Sequence, residues 1–227
     1  MFGEAFAVFF FVGIALYIRI KYQKYKIRLL DSIAGTAEVH GEAGKSLETA
    51  KMRITSHNRQ KGGEGEKGVG AELERIAERF GLNVLHDLSV PNSNANIDHV
   101  LVGKRAVFIV DAKNFSGTLS VRENRNGDNQ LYVDKYNQSK LAKNVVSAKR
   151  DLEKYLNKNG IRARVVGVLC FYEAKAKFKF FKVVEGAVVC TDDLMSVVIK
   201  YAANHRRDYD IDETVRLILE KYPLKEN

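Results

Sequence analysis

Short apolar runs and longer amphipathic segments follow one another along residues 61–200, which is the pattern of a protein that contains both strands and helices. Apolar residues recur every third or fourth position over residues 64–80 and again over 138–159, which predicts two helices. Continuous or alternating apolar runs predict strands near residues 83–89, 97–103, 106–112, 117–121, 164–171 and 187–190. This order, with further helices after residue 200, predicts an α/β fold with a mixed central sheet flanked by helices.

Both predicted helices carry a polar residue on the side that should face the core. Glu66 falls within the apolar stripe of the first helix, and Gln138 projects to the apolar side of the second. The carboxylate of Glu66 could simply complement the positive end of a helix, and Gln138 could be an ordinary structural hydrogen-bonding group. Both could instead reach into a shared site, and the helical pattern leaves these alternatives open.

Three charged residues end two neighbouring strands. The segment 103–105 reads as a short turn, so Asp98 should lie opposite Asp111, with Cβ atoms roughly 5 Å apart. Two such carboxylates repel each other unless a cation or a proton lies between them. Lys113 points the same way as Asp111 because side chains alternate along a strand. The arrangement suits a metal-dependent phosphoester chemistry, and a surface salt bridge at a strand end is the alternative.

These motifs resemble those of the NERD (nuclease-related) domain, which belongs to the PD-(D/E)xK restriction-endonuclease-like superfamily. The resemblance extends over about residues 61–200 and is carried by Gly65-Glu66-Lys67-Gly68, Ile97-Asp98-His99 and Asp111-Ala112-Lys113-Asn114. It implies an active centre formed by Glu66, Asp98, Asp111, Lys113 and Gln138, with Mg²⁺ or Mn²⁺ held by Asp98, Asp111 and Glu66. Two departures are Asp111, where the family more often has Glu, and the absence of a proline near Gln138.

The function that this resemblance implies is metal-dependent hydrolysis of phosphodiester bonds in DNA, with RNA left open. A protein of another class, a membrane-tethered module that binds nucleic acid or protein without cutting, would share the same fold. Dimerisation also stays open, and nothing in the sequence calls for a small-molecule cofactor. The chain has no His/Cys cluster of the kind that holds structural zinc, and Cys170 and Cys190 read as buried thiols in a reducing compartment.

The N-terminus predicts a membrane anchor. Residues 5–18 are continuously apolar, the run reaches Ile20 if Arg19 extends to the membrane surface, and four basic residues follow between positions 21 and 28. This flank places the rest of the chain on the cytoplasmic side of a cell inner membrane. We therefore expect an anchor at 1–20, a juxtamembrane basic segment and linker at 21–60, the nuclease-like domain at 61–200 and a helical extension at 201–227.

Basic residues are concentrated in one part of the chain. Residues 140–182 carry an excess of nine positive charges, equal to the formal net charge of +9 for the whole protein. Lysines interleaved with phenylalanines near residue 178 favour contact with nucleic acid, although anionic lipid would attract the same charges. The predicted nucleic-acid contacts are Lys140, Lys143, Lys175, Lys177, Lys179 and Lys182.

Overall fold

Eleven β-strands and four α-helices make up the part of the chain that the computed structural model describes, residues 36–45, 57–191, 193–203 and 208–225. The helices are α1 (His57–Phe80), α2 (Ser139–Lys158), α3 (Leu194–Ala203) and α4 (Ile211–Lys221). The strands are β1 (Glu38–His40), β2 (Asn83–Ser89), β3 (Asn96–Val102), β4 (Val107–Lys113), β5 (Thr118–Glu123), β6 (Asn129–Val133), β7 (Tyr136–Asn137), β8 (Val165–Phe171), β9 (Lys175–Ala176), β10 (Phe181–Val184) and β11 (Ala187–Cys190).

A seven-stranded mixed sheet forms the centre, in the order β1-β2-β3-β4-β8-β11-β10. Strands β2, β3 and β4 pair antiparallel through short connections, whereas β4, β8 and β11 are parallel. Parallel strands need long crossover connections, and α2 lies within the crossover between β4 and β8. The predicted α/β architecture with a mixed central sheet and flanking helices is therefore confirmed.

Each face of this sheet is covered by helices. Leu73 and Ile76 of α1, together with Val197 of α3, pack on the face that contains Phe108 and Val110. The opposite face contains Val107 and Ile109 and is covered by apolar residues of α2 and α4, among them Leu152, Leu156, Val215 and Ile218. Because both faces are buried, β4 and β8 read in the sequence as continuous apolar runs rather than as alternating ones.

A second sheet of four strands, in the order β7-β6-β5-β9, lies beside the central one. Its apolar side, which includes Leu119 and Leu131, packs with Val145 of α2 and Phe171 of β8. Of these four strands only β5 was predicted, as the strand near residues 117–121. Strands β6, β7 and β9 have only two to five residues each, too few to show a periodic pattern, and their conformation depends on pairing, of β6 and β9 with β5 and of β7 with β6.

Both ends of the described fold extend beyond the predicted domain. Strand β1 pairs in parallel with β2, and α1 begins at His57, so part of the segment predicted as a linker belongs to the fold. At the other end, α4 contributes Leu217 and Ile218 to the core and is therefore an integral part of the domain.

The predicted anchor at residues 1–20 lies outside the described residues. Among those described, no helix is both long enough and apolar enough to cross a membrane.

Candidate active site

Two aspartates lie side by side where β3 and β4 meet. His99 pairs with Val110, so the antiparallel register places Asp98 opposite Asp111 at the next position, as the turn length predicted. The side chain of Asp98 is only 7% exposed, whereas that of Asp111 is 29% exposed. Both residues line a cavity of about 400 Å³ between the sheet and α2. A buried carboxylate and a more accessible one therefore share one opening to solvent.

Lys113 and the backbone of Ala112 complete this cluster. The Nζ atom of Lys113 lies 2.8 Å from Oδ2 of Asp111 and 4.0 Å from Oδ2 of Asp98. It also donates a hydrogen bond of 3.0 Å to the carbonyl oxygen of Ala112, whose N–H donates to Oδ2 of Asp98 at 2.8 Å. The ammonium group is thus fixed between carboxylate and carbonyl oxygens, as the alternation along β4 predicted.

Glu66 approaches the cluster from α1. It is the tenth residue of that helix, so the expectation that it belongs to a first helical turn is wrong, and complementing the helix N-terminus does not explain it. The preceding residue, Gly65, permits the close approach, since a Cβ atom there would lie 2.7 Å from the Cβ of Asn114. Burial, followed by the nearby Asp87, raises the pKa of Glu66 to about 7.

The cluster carries more negative charge than its surroundings stabilise. Burial, and then the charges of Asp111 and Glu66, raise the pKa of Asp98 well above its ordinary value, although Lys113 and the Ala112 N–H oppose this. Burial alone would lower the pKa of Lys113, but Asp111 and Asp98 outweigh it and the pKa is raised. The single ammonium group of Lys113 therefore neutralises only part of the negative charge of these carboxyl groups. A further cation would reduce the repulsion that remains between them.

The donor set fits a hard divalent cation. Within the described residues, no group of three or more Asp, Glu, His or Cys side chains, the predicted set of Asp98, Asp111 and Glu66 included, is arranged to hold a metal ion. Mg²⁺ does not require one, because it is usually bound through one or two carboxylates and keeps several water ligands. Asp98 and Asp111 supply carboxylate oxygens of this kind at the edge of an open cavity, and the carbonyl oxygen of Ala112, which accepts from Lys113, is a further oxygen ligand next to them.

Gln138 lines a different cavity from Asp98 and Asp111. It is the residue before α2, its backbone N–H donates to the Leu131 carbonyl at 2.8 Å, and its side chain makes no capping hydrogen bond. It lines a separate cavity of about 410 Å³ that also contains Asn114 and Tyr136. No contact described in the structure joins its amide to Asp98, Asp111 or Lys113.

The six predicted nucleic-acid-binding lysines are all exposed. Lys140 and Lys143 lie on α2, where Lys143 forms an ion pair of 3.4 Å with Glu185. We call the segment 175–182 the basic segment. Its residues Ala176 and Phe178 pack against the core, whereas its four lysines are exposed to solvent. This segment follows β8 closely, and the N–H of Tyr172 donates to the carbonyl of Lys113 at 2.8 Å. The basic segment itself pairs with β5, where Lys175 lies opposite Thr118, and it is Tyr172, three residues before it, that is hydrogen-bonded to Lys113.

Sequence reasoning missed three polar residues around the cluster. Asp87 is buried at 3% exposure, has a left-handed backbone with φ of 53°, and accepts a hydrogen bond of 3.0 Å from Asn96. It lies within the buried run of β2, and a carboxylate inside such a run was the available signal. Asn144 and Asp151 of α2 line the same cavity as the two aspartates. The sequence did not indicate this, because polar residues are common on the exposed side of any helix.

Comparison with known proteins gives one match. Residues 61–172 match the model of the family described as NERD, nuclease-related domain. The matched segment contains Glu66, Asp98, Asp111, Lys113 and Gln138 and ends directly after β8. Neither the curated proteins nor the solved structures contain a match to this chain.

Proposed function

We propose that this protein, whose residues 61–172 match the nuclease-related domain family, is a membrane-anchored, metal-dependent nuclease that hydrolyses phosphodiester bonds in DNA. The observation that carries this proposal is the buried cluster of Asp98, Asp111 and Lys113 at the paired ends of β3 and β4. Its excess negative charge favours a divalent cation, and its cavity is open to a substrate.

Each residue of the cluster has a distinct role in this proposal. An ion held by Asp98, Asp111 and the Ala112 carbonyl oxygen would activate a water molecule and polarise a phosphate oxygen. Lys113 stabilises the negative charge that develops on the phosphate oxygens, because its ammonium group is already oriented by Asp111 and Ala112. Glu66 adds negative charge next to Asp98 and so strengthens cation binding.

DNA is the proposed substrate because a polyanion complements the exposed lysines. The basic segment starts three residues after Tyr172, whose N–H is bonded to the Lys113 carbonyl, so a nucleic acid that lies on these lysines would extend towards the cluster. Phosphate contacts of this kind are independent of base sequence and do not distinguish DNA from RNA. Cleavage assays with both polymers decide which one is the substrate.

The membrane anchor is supported by the apolar run at residues 5–18 and by the basic residues after it. We infer that the folded domain lies in the cytoplasm, attached to the inner membrane by a single span. A C-terminal alkaline phosphatase fusion, produced in a Gram-negative host, should be inactive because that enzyme requires the periplasm. An active fusion would reverse the topology and separate the domain from chromosomal DNA.

A plasmid cleavage assay tests the nuclease proposal. The full-length protein in mild detergent should cut supercoiled DNA with Mg²⁺ or Mn²⁺ and should be inactive in excess chelator. Asp98→Asn should reduce the rate at least about a hundredfold, because it removes a ligand and a buried charge. Asp212→Asn, which changes an exposed aspartate in the first turn of α4, should retain the wild-type rate. Equal cleavage by both variants would overturn the assignment of the cluster.

The second candidate is the membrane-tethered module that binds without cutting. The ion pair of 2.8 Å between Lys113 and Asp111 favours it, because the ammonium group neutralises part of the cluster without a metal ion. The burial of Asp98 argues for the enzyme, since a buried carboxylate without a function is costly to keep. Tight DNA binding without cleavage, whichever divalent cation is supplied, would establish the binding module.

A further inference from the structure

The cavity of about 410 Å³ around Gln138 lies next to the carboxylate cluster but is lined by a different set of side chains. We propose that it is a subsite for an unpaired nucleotide next to the cleaved bond, with the base stacked on Tyr136. This inference rests on the proposed nuclease function, and it names single-stranded nucleic acid as the preferred substrate class.

The position of the cavity connects it to the reaction. Asn114, Phe115 and Ser116, which line it, directly follow Lys113 at the end of β4. A nucleic-acid strand whose phosphate contacts Lys113 therefore has its neighbouring nucleotide beside these residues. In this arrangement Gln138 would contact the neighbouring nucleotide and not the reacting phosphate, which explains why it lies apart from the carboxylates.

Tyr136 offers an aromatic face to a ligand. Its side chain is 62% exposed, and the only ring contact described for it is with Nζ of Lys135, 5.4 Å from the ring centre. Tyr132 on the neighbouring strand provides a contrast, because Arg122 covers its ring at 4.4 Å and its hydroxyl donates to Gln130 at 3.0 Å. Every base has a flat π-face, so an exposed tyrosine is suited to stacking without sequence preference.

The polar groups of the cavity differ in whether they already have a protein partner. The amide of Gln138 has no hydrogen-bond partner among the described contacts, so its donor and acceptor can both reach a base edge. The ammonium group of Lys61 is held at the rim by Ser116, and the Lys61 carbonyl accepts a hydrogen bond of 2.9 Å from Asn114. Asp134 also lines the cavity, but its Oδ1 accepts the N–H of Thr118 at 2.9 Å.

The stacking position requires an unpaired base. In a duplex each base is already stacked on both neighbours, and its face is not accessible to Tyr136. A single strand, or a strand end that has opened, can place a base in the cavity without this cost. Duplex DNA would use only the phosphate contacts of the basic segment.

Fluorescence anisotropy with the full-length protein in detergent and chelator tests the subsite. The probes are an oligothymidine, an abasic oligomer of the same length and charge, and a duplex. Tyr136→Ala should weaken oligothymidine binding at least about fivefold and leave the abasic oligomer and the duplex unchanged. Tyr136→Phe, the matched control, should bind oligothymidine like the wild type, because it keeps the ring.

The outcomes separate this inference from the nuclease proposal. If Tyr136→Ala binds oligothymidine like the wild type, the subsite is overturned. The nuclease proposal would still stand, because plasmid cleavage tests it separately. An equal loss with the abasic oligomer, or a Phe variant as weak as the Ala variant, would also overturn stacking. A wild-type protein that binds none of the three probes would contradict both proposals.

Discussion

The buried carboxylate cluster and the basic segment use charge in opposite ways. At the cluster, Nζ of Lys113 lies within ion-pair distance of both Asp98 and Asp111. Burial raises the pKa of Asp98, whereas for Lys113 the two aspartates outweigh burial and raise the pKa. In the basic segment the lysines face solvent, and each can act separately. In the cluster, the charge state of each group depends on its neighbours, which is the condition for a reactive site. In the basic segment, each lysine contributes separately to the attraction of a polyanion, so together they increase affinity.

Among the substitutions that test this difference, replacing Lys113 with alanine should have the largest effect on cleavage. Cleavage should fall about a hundred- to a thousandfold, because the group that stabilises developing charge is lost, while DNA affinity should change little. Single-turnover cleavage and anisotropy measure the two quantities. Lys158→Ala, at the far end of α2, is the control and should leave both unchanged. A loss of affinity that matches the loss of cleavage would place Lys113 with the binding lysines.

Removing Lys175, Lys177 and Lys179 together should have the opposite result. Affinity for a short duplex should fall at least about tenfold at low salt, and the slope of log affinity against log salt should become shallower by about 2–3. Cleavage should recover at high protein concentration.

A triple variant of α2 controls for total charge in that experiment. Arg150, Lys154 and Lys158 are also exposed, so replacing them with alanine removes the same charge from another surface. If both triple variants lose equal affinity, the basic segment is not a specific contact. If the first variant binds DNA normally but loses binding to anionic vesicles, its lysines face lipid.

Gly65→Ala tests whether the packing of α1 supports the cluster. The new methyl group would lie 2.7 Å from the Cβ of Asn114, so the helix and Glu66 must move away from β4. We expect a loss of about 1–3 kcal/mol in the free energy of unfolding, measured by denaturant titration, together with slower cleavage. Gly160→Ala is a useful comparison, because its φ of 85° is strained but no atom lies nearby. It should reduce stability without changing the activity of the folded protein.

The smallest expected effect is on stability: Asp98→Asn should increase the melting temperature by a few degrees in chelator, although it should abolish most of the cleavage. The raised pKa of Asp98 means that the folded state disfavours its charged form, and an amide oxygen can still accept the Ala112 N–H. Added Mg²⁺ should stabilise the wild type and not this variant. A clear decrease in melting temperature would mean that the attraction between Lys113 and Asp98 outweighs the repulsion and the burial.

The spacing of apolar residues along the chain was enough to predict many of the helices and strands. The predicted helix at 138–159 corresponds to α2, and the predicted strands near residues 83–89, 97–103 and 106–112 correspond to β2, β3 and β4. The start of α1 was missed because Gly62, Gly63 and Gly65 have low helix propensity, and packing against the sheet outweighs it. The short strands of the second sheet were missed because their pairing is not local.

The sequence by itself determined that Asp98, Asp111 and Lys113 would meet, because strand alternation and a short turn leave one register between β3 and β4. It did not determine how deeply each side chain is buried, how Asp87 and Glu66 join the cluster, or that Gln138 belongs to a separate cavity. Those features arise where α1, α2 and the end of the sheet come together. Burial and electrostatic interaction depend on all the groups around a site, and only the tertiary structure brings those groups into contact.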